Sequence, residues 1–181
     1  SDREQLVPHD AYVSYELYEY LLSDLAQRYS HICHLHELGK LESGYRILAL
    51  EITDHPDQEE EEPKVLYTST MHGDELAGFP IMLMLIEELL LQYEQNPEIN
   101  ALVNGTEIWI NPLANPDGTY AGGSHTVGGA TRRNRNGVDP NRNFPDPNSG
   151  DHPDGHEHQA ETEIFMELHE HISFDLPRNL H

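Results

Sequence analysis

His72 and Glu75 stand three apart in the stretch Thr70-Met71-His72-Gly73-Asp74-Glu75. In a tight turn that spacing brings an imidazole nitrogen and a carboxylate onto one ion, and Gly73 lets the backbone turn without a Cβ clash. Taken alone the pair is weak, because a chain with 13 His and 33 Asp+Glu yields such pairs by chance. A second stretch has a different chemistry. Arg132-Arg133-Asn134-Arg135-Asn136-Gly137-Val138-Asp139-Pro140-Asn141-Arg142-Asn143-Phe144-Pro145 holds four of the ten basic residues, gathered in a Gly/Asn loop. Arginine's planar fork suits a carboxylate, which it binds through two parallel hydrogen bonds. On charge alone, anion capture and a loop stitched by Arg–Asp/Glu pairs stand about even.

The elements that must position these residues follow from periodicity and punctuation. Val13, Leu17, Leu21 and Leu25 predict a helix over 12–30. Ile32–Leu38 and Tyr45–Thr53 read as strands, with Gly39 and Ser43-Gly44 as turn residues between them. Glu59–Glu62 reads as a solvated acidic loop. Lys64–Thr70 reads as a buried strand leading into the His72 turn, and a long apolar helix runs from about Gly78 to Tyr93, with Pro80 in its first turn and Asn96-Pro97 ending it. Thr106–Asn111 is a further strand, and Met82, Met84 and Trp109 are expected in the core. From Pro112 to Pro153 the chain is loop-like, and a loop of that length is functional or disordered. A helix over 158–172 and a strand over Leu176–Leu180 close the sequence. This alternation predicts one α/β domain, a three-layer α/β/α arrangement around a mixed, mostly parallel sheet. His72 then falls at the carboxyl end of a strand, where ligands gather in open α/β sheets.

Composition excludes some partners. The formal net charge is −23, which argues against nucleic acid and against an anionic membrane surface. No run approaches the length of a membrane span. The single Cys33 excludes an intramolecular disulfide and a Cys-rich metal site. The opening Ser1-Asp2-Arg3-Glu4 lacks signal-peptide character.

The ordered series His72-Gly73-Asp74-Glu75, Asn115-Pro116-Asp117-Gly118, Gly137-Val138-Asp139-x-Asn141-Arg142-Asn143-Phe144, Glu161-Thr162-Glu163 and Asn179-Leu180-His181 resembles the zinc metallocarboxypeptidases of the carboxypeptidase A-like family. Its Gly-Asp pair and its Asn-Arg-Asn-Phe-Pro ending are more similar to the regulatory and bacterial branch than to the digestive enzymes. The resemblance implies one zinc ion held by His72, Glu75 and His181. It implies Asp139 as the carboxylate that orients the first ligand His. Asn141 and Arg142 would hold the substrate's terminal carboxylate. Arg133 would stabilise the oxyanion, with Arg132 as runner-up. Glu161 and Glu163 are expected to be structural, at a helix start. The implied reaction removes a C-terminal residue from a peptide or protein, in a secreted, extracellular or periplasmic setting.

In that family a Glu general base and a substrate-binding Tyr follow the third zinc ligand, which here is the last residue, His181. The expectation is therefore that residues 1–181 are the N-terminal part of a single catalytic domain, inactive alone. The alternatives are a non-catalytic zinc- or peptide-binding module, or a zinc amidohydrolase acting on N-acyl amino acids.

Overall fold

The computed structural model describes residues 5–56 and 58–181, so Ser1-Asp2-Arg3-Glu4 lies outside the described residues. The elements run α1 (Tyr15–Arg28), β1 (Cys33–Lys40), β2 (Arg46–Ile52), β3 (Lys64–Ser69), α2 (Gly78–Gln92), α3 (Pro97–Val103), β4 (Glu107–Asn111), α4 (Pro116–Thr119), a 3-10 turn (Pro140–Arg142), α5 (Ala160–His171) and β5 (Leu176–Leu180). The five strands form one sheet in the order β1-β2-β4-β3-β5. It is mixed, but its parallel share is half of the pairings. β1–β2 and β2–β4 are antiparallel, while β3–β4 and β3–β5 are parallel. The short connection from β1 to β2 leaves that pair no room for a crossover, so it must be antiparallel.

Alternating side chains serve both faces, which is why β2 is apolar almost throughout. Leu48, Leu50 and Ile52 of β2, with Ile108 and Ile110 of β4, pack under α1, α2 and α3. Ile47, Ala49, Leu66 and Trp109 point the other way and pack against Phe165 and Leu168 of α5. Helices thus cover both faces, giving the expected three layers.

Several local expectations give way to packing. Leu17 is exposed, and α1 buries Tyr15, Tyr18, Leu21, Leu22 and Leu25 instead. Val13, also buried, precedes α1, and on a helix of 3.6 residues per turn Leu17 falls beside the face that Tyr18, Leu22 and Leu25 bury. Gly39 lies inside β1 at a register shift, not in the turn. A Cβ there would stand 2.5 Å from Ile164 of α5, so the glycine admits a close approach. The turn itself uses Gly44 at φ 94°. Asn96-Pro97 does not end α2, which stops at Gln92. It starts α3: the Asn96 side chain accepts from the Glu98 amide and Pro97 takes the first turn. Met82 and Trp109 are buried as expected, whereas Met84 is exposed.

Leu22→Ala should lower the unfolding free energy by about 2–5 kcal/mol. Leu17→Ala should change it by less than about 0.5 kcal/mol. Denaturant titration reads both, and equal losses would contradict the assigned stripe.

Candidate metal and carboxylate site

The site forms where the parallel strands β4, β3 and β5 end. Beyond β3 and β4 the two chains continue to pair, the Ala114 amide donating to Ser69 O (3.0 Å) and the Asn115 amide to Thr70 O (3.2 Å). Thr70 turns the chain out of the strand at φ 60°, a left-handed conformation that a β-branched residue adopts only under strain. It is fully buried, and its hydroxyl has no hydrogen-bond partner among the described residues. The next loop is held from below by the Asn115-Pro116-Asp117-Gly118 motif. Asn115 Oδ1 accepts from the Gly118 amide (2.9 Å), while its Nδ2 donates to Met71 O (3.2 Å). Thr119 donates its hydroxyl to Gly73 O (3.0 Å), and the Gly73 amide donates to Arg132 O (3.3 Å). Gly73 is needed for a close approach. A Cβ there would lie 2.4 Å from the Gly118 carbonyl carbon and 2.5 Å from Thr131 O, both backbone atoms.

Three loops are thereby drawn together, and the structure places His72, Glu75 and His181 side by side. His72 Nδ1 is 3.0 Å from Glu75 Oε1 and 3.3 Å from His181 Nδ1, and His181 Nδ1 is 3.0 Å from Glu75 Oε2. The other nitrogen of His72, Nε2, lies 2.9 Å from Asp139 Oδ1. That carboxylate accepts a hydrogen bond from Nε2–H and leaves Nδ1 with a lone pair facing two other electron-rich atoms. Such a trio repels itself unless a proton or cation stands among the three. A tetrahedral zinc with bonds of about 2.0–2.1 Å has ligand–ligand edges of about 3.3 Å, close to the spacing found here. The donor set therefore fits the zinc that the resemblance implies. Exposure is graded, from 2% for the His72 side chain through 32% for Glu75 to 43% for His181. The trio is anchored on the buried side and open on the other.

Asp139 also shapes what lies next to the trio. Its Oδ1 accepts from the Asn141 amide (3.0 Å) and caps the 3-10 turn, while Oδ2 accepts from Arg132 Nε (3.1 Å). Arg132 extends to Glu75, with Nη1 3.2 Å from Oε1. Burial works to raise the Asp139 carboxyl, but the hydrogen bond and charge of His72, then those of Arg132, outweigh it and hold the group below its usual range. Glu75 behaves likewise: burial raises it, and hydrogen bonding from His181 with the charge that His72 carries when protonated brings it below the usual carboxylate range.

Of the two candidate arginines, Arg132 is the one at the trio. Arg133 is turned away and donates Nη1 to Gly137 O (2.8 Å). The backbone bond from the Gly73 amide to Arg132 O holds Arg132 against the His72 loop. Asn141 and Arg142 are exposed on the 3-10 turn, and among the described residues their side chains make no hydrogen bond or ion pair. Glu161 is buried against Asn134 Nδ2 (3.1 Å), and desolvation raises its carboxyl. Glu163 is exposed in the first turn of α5. Asn143, to which the sequence gives no role beyond its place in the Asn-Arg-Asn motif, has a buried side chain that bonds to four groups.

The sequence profile of the zinc carboxypeptidase family matches residues 18–181. Mouse carboxypeptidase M is 37% identical over 173 residues, covering 90% of this chain and 37% of that protein. Human carboxypeptidase D is 39% identical over 132 residues, covering 71% of this chain and 9% of that protein. The crystal structure of carboxypeptidase A from Helicoverpa armigera superposes with a TM-score of 0.80 at 27% identity, covering 97% of this chain and 47% of that one. The chain thus spans well under two thirds of the length of these relatives.

Opposite effects are expected from two substitutions in the His72 loop. Thr70→Asn should stabilise the fold by about 1 kcal/mol by relieving the left-handed strain. Gly73→Ala should destabilise it by about 1–3 kcal/mol, because neither facing backbone segment can yield. Thermal unfolding of both variants checks this, and a destabilising Thr70→Asn would remove strain as the account of that residue.

Proposed function

Because this chain belongs to the zinc carboxypeptidase family, we propose that it forms the metal- and carboxylate-binding part of an enzyme that hydrolyses the last peptide bond of peptides or proteins. The observation that carries this reading is the sharing of Asp139 between the metal-donor His72 and the turn that presents Asn141 and Arg142. One carboxylate thereby couples a cation site to a pair of free, exposed donors suited to a terminal carboxylate.

Zinc, when held by His72, Glu75 and His181, supplies a Lewis acid that polarises the scissile carbonyl and lowers the pKa of a water. The protein's own groups do the remaining work described here. Asp139 holds the proton on His72 Nε2, so that Nδ1 keeps its lone pair for a metal. Arg132, beside Glu75, is positioned to face negative charge developing on the carbonyl oxygen. The resemblance assigned that part to Arg133, and the placement of the two guanidinium groups moves the proposal to Arg132. Asn141 and Arg142 bind the substrate's C-terminal carboxylate and so select the last residue.

A second reading, zinc or peptide binding without catalysis by these residues alone, has one observation behind it. The carboxylates at the trio, Glu75 and Asp139, are both engaged by His and Arg partners. Neither is free to accept a proton from water, so hydrolysis needs a further base, as the family resemblance implies downstream of His181. The acidic composition fits a secreted setting, which is proposed with the activity; among the described residues no helix is long and apolar enough to cross a membrane.

In the full-length protein, release of free amino acids from peptide C termini should stop on chelation of zinc and with Glu75→Ala. Arg142→Ala should raise KM by about 10–100-fold, the loss of one to two charge-assisted hydrogen bonds, while zinc content stays unchanged. Activity that survives complete zinc removal would overturn the mechanism. Peptide retained on the zinc-loaded protein without cleavage would favour the second reading.

A further inference from the structure

Asn141 and Arg142 have no side-chain partners among the described residues, so their positions depend on how the backbone of their turn is held. Asp139 holds one end by accepting from the Asn141 amide. The other end is Asn143, which follows the turn and is fully buried.

An asparagine side chain offers two N–H donors and one oxygen with two lone pairs, and all four are used here. Oδ1 accepts from the Gln159 amide (2.7 Å) and from the Thr162 hydroxyl (2.8 Å). Nδ2 donates to Asp154 Oδ2 (3.0 Å) and to Glu157 O (3.1 Å). Gln159 is the N-cap of α5 but makes no side-chain cap of its own. Asn143 thus satisfies a backbone donor at the start of α5 from another part of the chain, the service a capping-box side chain gives within a helix. Gln159 Oε1 is occupied elsewhere, accepting from Asn134 Nδ2 (3.1 Å) and Asn136 Nδ2 (2.8 Å). The segment from Asn134 to Asn143 is therefore fastened to the start of α5 at both ends, and residues 137–142 span the gap between the two fastenings.

We propose that Asn143 is a positioning residue for recognition of the substrate's C-terminal carboxylate: by locking the end of the Asn141-Arg142 turn onto the start of α5, it fixes where the two carboxylate-binding side chains project. This rests on the proposed function and adds to it a residue that touches neither substrate nor metal donors. A merely structural role would lower stability without changing which ligands are preferred. The positioning role predicts loss of carboxylate recognition while the metal site is spared, because His72, Glu75 and His181 are tied together through other bonds.

The test compares one peptide with a free C-terminal carboxylate and the same peptide amidated. Binding of both, KM and kcat, and zinc content are measured in the full-length protein. Asn143→Asp keeps the acceptor oxygen for Gln159 and Thr162 but sets a carboxylate against Asp154. Thr162→Val removes one of the four bonds at nearly constant volume and at a distance from the turn's exposed face. Both should weaken the preference for the free carboxylate about tenfold, raising KM far more than they lower kcat, with zinc content unchanged. An unaltered preference in a folded variant would overturn the positioning role. If Asn143→Asp fails to fold, Thr162→Val decides by the same criterion. Arg142→Ala separates the two levels of the argument. If it leaves the carboxylate preference intact, the proposed function falls. If it abolishes the preference while Asn143→Asp and Thr162→Val do not, the positioning role alone falls.

Discussion

The carboxylate of Asp139 meets three demands at once. It holds the ring proton of His72, caps the turn before Asn141, and accepts from Arg132. Removing any one of these partners would leave the group partly buried with a lone pair unmet, which costs more than a single surface hydrogen bond. The consequence is geometric: the donor nitrogen of the first metal ligand, the arginine beside it and the start of the carboxylate-binding turn cannot move independently. Burial by itself would favour protonating this acid, and the hydrogen bonds of His72 and Arg132, with the charge of the arginine, overcome that tendency.

That arrangement is possible only because the sheet delivers its loops to one place. β3 lies between β4 and β5 with all three strands parallel, so their carboxyl ends open to the same side. β3 leads into the His72 loop, β4 into the Asn115 loop that supports it, and β5 into His181. The antiparallel strands β1 and β2 extend the sheet away from the site and carry core residues for both faces. The backbone-to-backbone packing of the His72 loop against Gly118 and Thr131 leaves no volume for a Cβ at Gly73. The glycine in the motif is thus as much a part of the site as the two ligands that flank it.

Much of this was legible in the sequence. All five strands and the helices α1, α2 and α5 followed from periodicity, β5 over the same residues, while α3 and α4 did not, and the separate His72, Asp139 and His181 segments do come together. What escaped was decided by tertiary packing. Nothing local distinguishes Arg132 from Arg133; a backbone bond from Gly73 selects the first. Leu17 and Met84 are apolar residues on the exposed sides of their helices. Gly39 looks like a turn glycine until Ile164 of a distant helix is placed over it. Thr70 gives no hint of its left-handed backbone, since its residue type argues against one. Asn143 is one asparagine among several in a polar loop, and only the fold reveals its four bonds.

The central claim is that His72, Glu75 and His181 form one zinc site. X-ray absorption at the zinc edge, with zinc stoichiometry, addresses it without reference to activity. The account predicts one zinc per chain, with nitrogen and oxygen neighbours at about 2.0–2.1 Å and imidazole scattering from two histidines, reduced to one histidine by His181→Ala. A wild-type spectrum with a single imidazole, or one unchanged by His181→Ala, would contradict it.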